Sequence, residues 1–323
     1  MPASLNLYEE IANNKKKTFL ILSLFPIIFA GLVFATIFLF YILESNFAAP
    51  SERVFDAQSV VSYATIISSA TIIIALIWTV IAWYKGDQIV LKSADAHEIN
   101  RQTHPEIFVL VENLTIATGL PLPRIYIIDD ESLNAFATGR DPQHASLALT
   151  KGIVKRLNRA ELEGVIGHEL GHIANHDIRL TMLVATSIGV ISLIGQILIR
   201  AAIRGGSRRS RSSKGGNTLP LLILGVVFVL YGAVFAPLIM YALSRRREYL
   251  ADATSAYMTR NPLALASALE KISGDSRVEV LDGKGAIGTA CIAFPGDPKG
   301  LSLSSLFATH PPIKERIAKL KAM

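Results

Sequence analysis

The chain has 323 residues, 51% of them hydrophobic, a mean hydropathy of +0.41 and a single cysteine. That is too apolar for a soluble protein of this length, and the lone Cys291 excludes an internal disulfide and any multi-cysteine zinc or iron–sulfur site. Much of the formal charge of +6 sits in RGGSRRSRSSKGG, residues 204–216, which lacks interleaved aromatics and so reads as a solvated or lipid-facing linker, with no nucleic-acid partner expected.

In chain order, two uncharged runs come first, Thr18 to Leu43 and Ala57 to Trp83, each long enough to cross roughly 30 Å of hydrocarbon as a helix. The first has 26 residues, beyond a signal core of about 7–15, and no A-x-A site follows, so it reads as an uncleaved anchor. A helical pattern then opens a polar stretch in HPEIFVLVENLTIATG, bounded by Pro105 and Gly119. Short strand-like runs follow at Arg124 to Ile128, Leu133 to Thr138 and Ala145 to Leu149, separated by the turn clusters DDES and GRDPQH. KGIVKRLNRAELEGVIGHELGHIANHD returns to helical periodicity behind that small sheet. Two more uncharged runs, Leu180 to Ile199 and Gly215 to Ser244, form a hydrophobic hairpin around the basic loop.

The helix ending in HELGHIANHD carries the chemistry. Residues four apart lie on nearly the same face about 6 Å along the axis, so His168 and His172 can converge on one ion at roughly 2.0–2.1 Å each. His176 is too far along an unbroken helix to join them, and no glycine after His172 offers a break, so it reads as an outer-sphere or helix-end residue. His168-Glu169-Leu170-Gly171-His172 is the H-E-x-x-H arrangement, in which the glutamate faces a metal-activated water as general base. Gly171 reads as clearing space beside the metal face. A catalytic zinc needs a third protein ligand, and SRRREYLADATSAY places Glu248 and Asp252 four residues apart on one helical face, just after the hairpin returns. One carboxylate can ligate while a neighbour orients a ligand histidine; a solvated, salt-bridged helix is the competing reading of this pair. Ala251 and Ala253 would allow close helix approach there.

Taken together, HELGHIANHD, SRRREYLADATSA, NAFATGR and ATHPPIKERI resemble the HtpX-type membrane metallopeptidases, relatives of the zinc-dependent CAAX prenyl proteases, over almost the whole chain. The resemblance implies a mainly α-helical integral membrane protein with a small β-sheet and a gluzincin-like metallopeptidase domain. It implies one Zn2+ per chain held by His168, His172 and Glu248, with Glu169 as base and Asp252 behind the ligands. It also implies that the strand containing Asn134, Ala135, Phe136 and Ala137 borders the substrate groove. The Arg- and Ser-rich loop at 204–216 departs from the pattern. His310, before two prolines, reads either as a cap for the helix from Ile313 to Leu320 or as an oxyanion donor facing the zinc, with Arg316 as a supporting charge.

The expected organisation is an anchor of two transmembrane helices over 1–84, a first metallopeptidase segment over 85–179, a hydrophobic hairpin over 180–243 and a second metallopeptidase segment over 244–323. Lys15 to Lys17 precede the first span, and the loop from Glu44 to Asp56 carries three acids against one arginine, so the N-terminus and the catalytic part are expected in the cytoplasm, in the cell membrane. The loop from Arg200 to Thr218 has six basic residues and no acidic one, so the hairpin either spans against that rule or enters without crossing. Expected partners are the lipid bilayer and protein or peptide substrates. The readings carried forward are an endopeptidase acting on misfolded or damaged membrane proteins, a prenyl-peptide processing protease, and a non-enzymatic membrane scaffold with zinc.

Overall fold

The computed structural model describes residues 7–47, 56–207, 222–231, 245–273 and 312–323. They divide into two compact units: Phe19–Ile81 with Ser187–Phe235, and Ala82–Thr186 with the described residues after Ala236 and those before Phe19.

The first unit is built from apolar helices. It takes residues from α1 (Leu7–Phe47), α2 (Ala57–Ser93), α6 (Ile178–Ser207) and α7 (Leu222–Tyr231). Three stretches, Ser23–Ile42, Ala57–Ser93 and Ile178–Arg204, are long and apolar enough to cross a membrane. Of the fourth predicted span only Leu222–Tyr231 is described; the rest of it, and the basic loop from residue 208, lie outside the described residues. Phe29, Val33, Ala75, Ile191 and Phe228 form the interior. Large apolar residues also face outward, with Phe19 73% and Ile66 65% exposed, the pattern of helices whose solvent is hydrocarbon. Gly195 and Gly225 let α6 and α7 touch, since a methyl at Gly225 would lie 2.9 Å from the Gly195 carbonyl oxygen.

The second unit holds a four-stranded sheet of order β1-β2-β4-β3, from β1 (Ala96–Glu98), β2 (Arg124–Ile128), β3 (Ala135–Gly139) and β4 (Ala145–Thr150). β2 and β4 are parallel; β1 and β3 run antiparallel to their neighbours. β3 starts two residues later than its sequence run, because Thr150 grips the preceding loop: its hydroxyl donates to the Ser132 carbonyl at 2.6 Å and accepts from the Asn134 N–H at 3.1 Å. α3 (Pro105–Thr118) ends on Gly119, whose φ of 69° suits glycine. The long helical run after β4 breaks in two, α4 (Lys151–Arg156) and α5 (Arg159–Ala174). Asn158 makes the break: its side chain accepts from the Glu161 N–H while Glu161 accepts from the Asn158 N–H, a capping box. Around α5 pack α8 (Arg245–Thr259) and α9 (Pro262–Ile272), and α10 (Ile313–Lys321) packs on α9 and α8. Val165, Ile166, Leu170, Leu265, Leu269 and Leu320 fill the core between them.

Candidate metal centre

Helical spacing on α5 brings the His168 and His172 Nε2 atoms to 3.1 Å. From α8, Glu248 places one oxygen 3.8 Å from His168 Nε2 and the other 3.8 Å from His172 Nε2. Two donors bound tetrahedrally to one zinc at 2.0–2.1 Å stand about 3.4 Å apart, so these separations bracket what the ion requires. The three residues form the cluster able to hold a metal among the described residues, and two imidazoles with one carboxylate are a donor set zinc accepts. Glu248 is 1% exposed, which removes the solvated-helix reading of the Glu248–Asp252 pair.

Buried groups hold each histidine by its other nitrogen. His168 Nδ1 lies 2.9 Å from Asp252, one turn beyond Glu248 on α8. Asp252 is in turn gripped by both arms of Arg316 from α10, Nε to Oδ2 at 2.9 Å and Nη2 to Oδ1 at 2.7 Å. Arg316 is fully buried, with Nη1 3.9 Å from Glu248. α10 is pinned to α8 by the Tyr249 hydroxyl, which donates to Glu315 at 2.8 Å. His172 Nδ1 lies 2.9 Å from Asp177. A proton on each Nδ1 leaves both Nε2 lone pairs turned to the common centre.

Sequence reasoning missed Asp177. It assumed an unbroken helix to His176, whereas α5 ends at Ala174 and His176 adopts a φ of 57°. That left-handed turn, uncommon for a residue with a side chain, makes His176 a helix-end residue and swings Asp177 back to His172. The signal available was the Asn-His-Asp run, three residues that favour helix ends and turns. Gly171 also needs correction: the atoms a methyl there would meet are Cα and O of Ala251, each at 3.2 Å, so the missing side chain admits α8 instead of clearing the metal face. Ala251 makes this approach, while Ala253 is half-buried. His310 and Cys291 lie outside the described residues.

Glu169 is 2% exposed beside the cluster. Burial pushes its carboxyl up to about 7, against the pull of His172, the Ala137 N–H on β3 and Arg316. Burial and the Arg316 guanidinium push His168 down to about 4. Burial opposes charge on His172 too, yet the Asp177 and Glu248 carboxylates raise it to about 9. Asp252 is held well below the usual carboxylate range: burial works against its charge, and Arg316 with His168 outweighs it. β3 pairs only with β4 among the described residues. The Asn134 carbonyl accepts from the Thr150 N–H, so by alternation the main-chain groups of Phe136 turn to β4 and those of Ala135 and Ala137 turn away from it, where the Ala135 N–H donates to the Asn134 side-chain oxygen at 2.9 Å and the Ala137 N–H to Glu169.

Two histidines four apart on one helix, a glutamate between them and a carboxylate from a second helix are an arrangement suited to a metallopeptidase, here in a chain with helices long and apolar enough to cross a membrane. The model of Peptidase family M48 matches residues 101–323. A Protease HtpX homolog of Bacteroides fragilis (strain YCH46) is 38% identical over 315 residues, 96% of either chain. Another, from Lactobacillus acidophilus (strain ATCC 700396 / NCK56 / N2 / NCFM), is 40% identical over 325 residues, covering 98% of this chain and 100% of that one. The crystal structure of S. mikatae Ste24p matches at a TM-score of 0.43 and 18% identity over 94% of this chain and 65% of that one, too distant to add to the assignment. The chain belongs to peptidase family M48, and it is a membrane metalloprotease.

Proposed function

We propose that this protein is a zinc-dependent endopeptidase of the cell membrane, with its catalytic unit in the cytoplasm, that cleaves misfolded or damaged membrane proteins. The observation that carries the reading is the largely buried His168–His172–Glu248 cluster with Glu169 beside it. His168, His172 and Glu248 would hold one zinc, which when bound supplies the Lewis acidity that makes water nucleophilic near neutral pH and polarises a peptide carbonyl. Glu169 takes the proton of the attacking water and returns it to the leaving amine. Asp252 and Asp177 fix the two imidazoles, and Arg316 holds Asp252 in place. His176 keeps Asp177 in reach of His172. His310 donates to the developing oxyanion. An extended peptide adds to the β3 edge through the main chain of Ala135 and Ala137, displacing the Asn134 side chain from the Ala135 N–H and Glu169 from the Ala137 N–H, with Phe136 shaping the strand. Main-chain pairing tolerates varied sequence, which suits unfolded segments. The Protease HtpX homologs named above support a protease over a scaffold, as does a cluster of three donors where structural zinc usually has a closed set of four. Lys15 to Lys17 before the first span support the cytoplasmic placement.

Glu169→Gln tests the reading, because the amide keeps the shape and removes the base. The purified variant should retain wild-type zinc and lose casein cleavage. Wild-type cleavage by the zinc-loaded variant would reject Glu169 as the base.

A further inference from the structure

The second unit has another concavity, whose lining includes none of His168, His172 and Glu248. A cavity of about 250 Å³ is lined by Trp83, Tyr84 and Asp87 of α2, by Arg124 at the start of β2, and by Arg140 and His144 around the turn after β3. We propose that this cavity binds a phosphate-bearing anion, and that the anion is the headgroup of an acidic membrane lipid.

Three features carry this. First, guanidinium groups dominate the cavity and its border. Arg124 and Arg140 line it, and Arg179 adjoins it, its Nε donating to the Arg140 carbonyl. The acidic groups among them are Asp87, bonded to Arg124, and Asp141, 3.5 Å from Arg140 and 2.6 Å from His144. Three arginines against two aspartates leave an excess of positive charge. Second, each guanidinium lies near an aromatic ring: Arg140 5.4 Å from the Tyr84 centroid, Arg179 5.0 Å from Trp83 and Arg124 6.0 Å from Tyr126. A guanidinium held by its face turns its N–H edge to oxygen acceptors, the geometry that binds phosphate in a fork; Asp87, Asp141 and the Arg140 carbonyl each take part of such an edge, and the remaining N–H groups are what the anion would use. Third, the residues that line the cavity from α2 end an apolar run. Trp83 ends the uncharged run from Ala57, and Tyr84 and Lys85 follow, the order of aromatic then basic residues at a membrane–water border. The site also touches the catalytic frame, since Arg140 follows β3 and Arg179 follows Asp177, which holds His172.

The chain has two tryptophans, so Trp78→Phe leaves Trp83 as the sole indole reporter. The full-length variant in neutral detergent is titrated with short-chain phosphatidylglycerol, matched phosphatidylcholine and glycerol phosphate, following Trp83 emission. Phosphatidylglycerol should give a saturable change at concentrations at least tenfold below any response to the other two. Arg124→Gln or Arg140→Gln should weaken it about tenfold or more, with bound zinc as the check on folding. Gln143 lines the cavity and is exposed, so Gln143→Glu adds a carboxylate without removing an arginine and should weaken binding as well. Saturation by glycerol phosphate at equal concentration would overturn the lipid source while keeping the phosphate chemistry. No saturable response, or one unchanged in all three variants, would overturn the site.

Discussion

Gly171→Ala tests whether the metal centre depends on how closely α5 and α8 approach. The added methyl would lie 3.2 Å from Cα and O of Ala251 and 3.3 Å from Cβ of Thr254, tighter than ordinary contact, and two of those atoms are backbone. Backbone cannot rotate away, so α8 must move by a few tenths of an ångström. Overpacking of this kind costs about 1–3 kcal/mol, partly offset by the roughly 1 kcal/mol that alanine gains over glycine inside a helix. The net expectation is a loss of about 0–2 kcal/mol. Glu248 rides on the same helix three residues before Ala251, so the same shift pulls its carboxylate off the position that faces both Nε2 atoms. Zinc affinity should fall by about tenfold for each 1.4 kcal/mol of misfit, a disproportionate loss against a small drop in Tm. Competition with a zinc chelator, beside thermal unfolding in detergent, reads both. Wild-type zinc affinity in a folded Gly171→Ala protein would refute the idea that this approach sets the ligand geometry.

Asp177→Asn removes the charge that holds His172 by its Nδ1, and outer-sphere partners of this kind typically matter 10–100-fold in metal affinity; chelator competition should show a loss in that range, and an unchanged affinity would leave Asp177 a helix-end residue only. Glu161→Gln cuts a buried link between α5 and α9, where Ser267 donates at 2.7 Å and Lys271 at 2.6 Å. It should cost about 1–2 kcal/mol, read as a lower Tm. Burial disfavours the Glu161 charge, but Lys271, the Asn158 N–H and Ser267 outweigh it and hold its pKa below the ordinary value. A depressed carboxylate stabilises the fold above its unfolded pKa and stops doing so as pH falls through the folded one. The Tm gap between wild type and Glu161→Gln should therefore close on acidification below about 4.5; a gap that persists there would exclude the charge as its source.

The parts of the site that repeat with the helix were legible in the sequence. His168 with His172, and Glu248 with Asp252, are each four apart, and on a helix that spacing alone gives a shared face. The hairpin of apolar runs between them was enough to expect the two motifs side by side. Asp177 was not legible in this way, because its place depends on one backbone angle at His176, and no periodicity encodes a left-handed turn. Arg316 could be named as a charge from its motif, but its grip on Asp252 exists only once α10 packs on α8. β1 has three residues and forms by pairing Ala96–Glu98 with β2, a contact across the chain that local pattern does not show. The break between α4 and α5 was readable in principle from Asn158 and Glu161, three apart. Gly171 was noticed for a good reason and given the wrong neighbour: a missing side chain reports that something comes close, not what.

Metal stoichiometry measured together with proteolysis tests the central claim most directly. Full-length protein purified in detergent should carry one zinc per chain and digest casein. Removing the metal with a chelator should abolish cleavage, and adding one equivalent of zinc should restore both occupancy and rate. Undiminished digestion by protein shown to be free of metal would contradict the account.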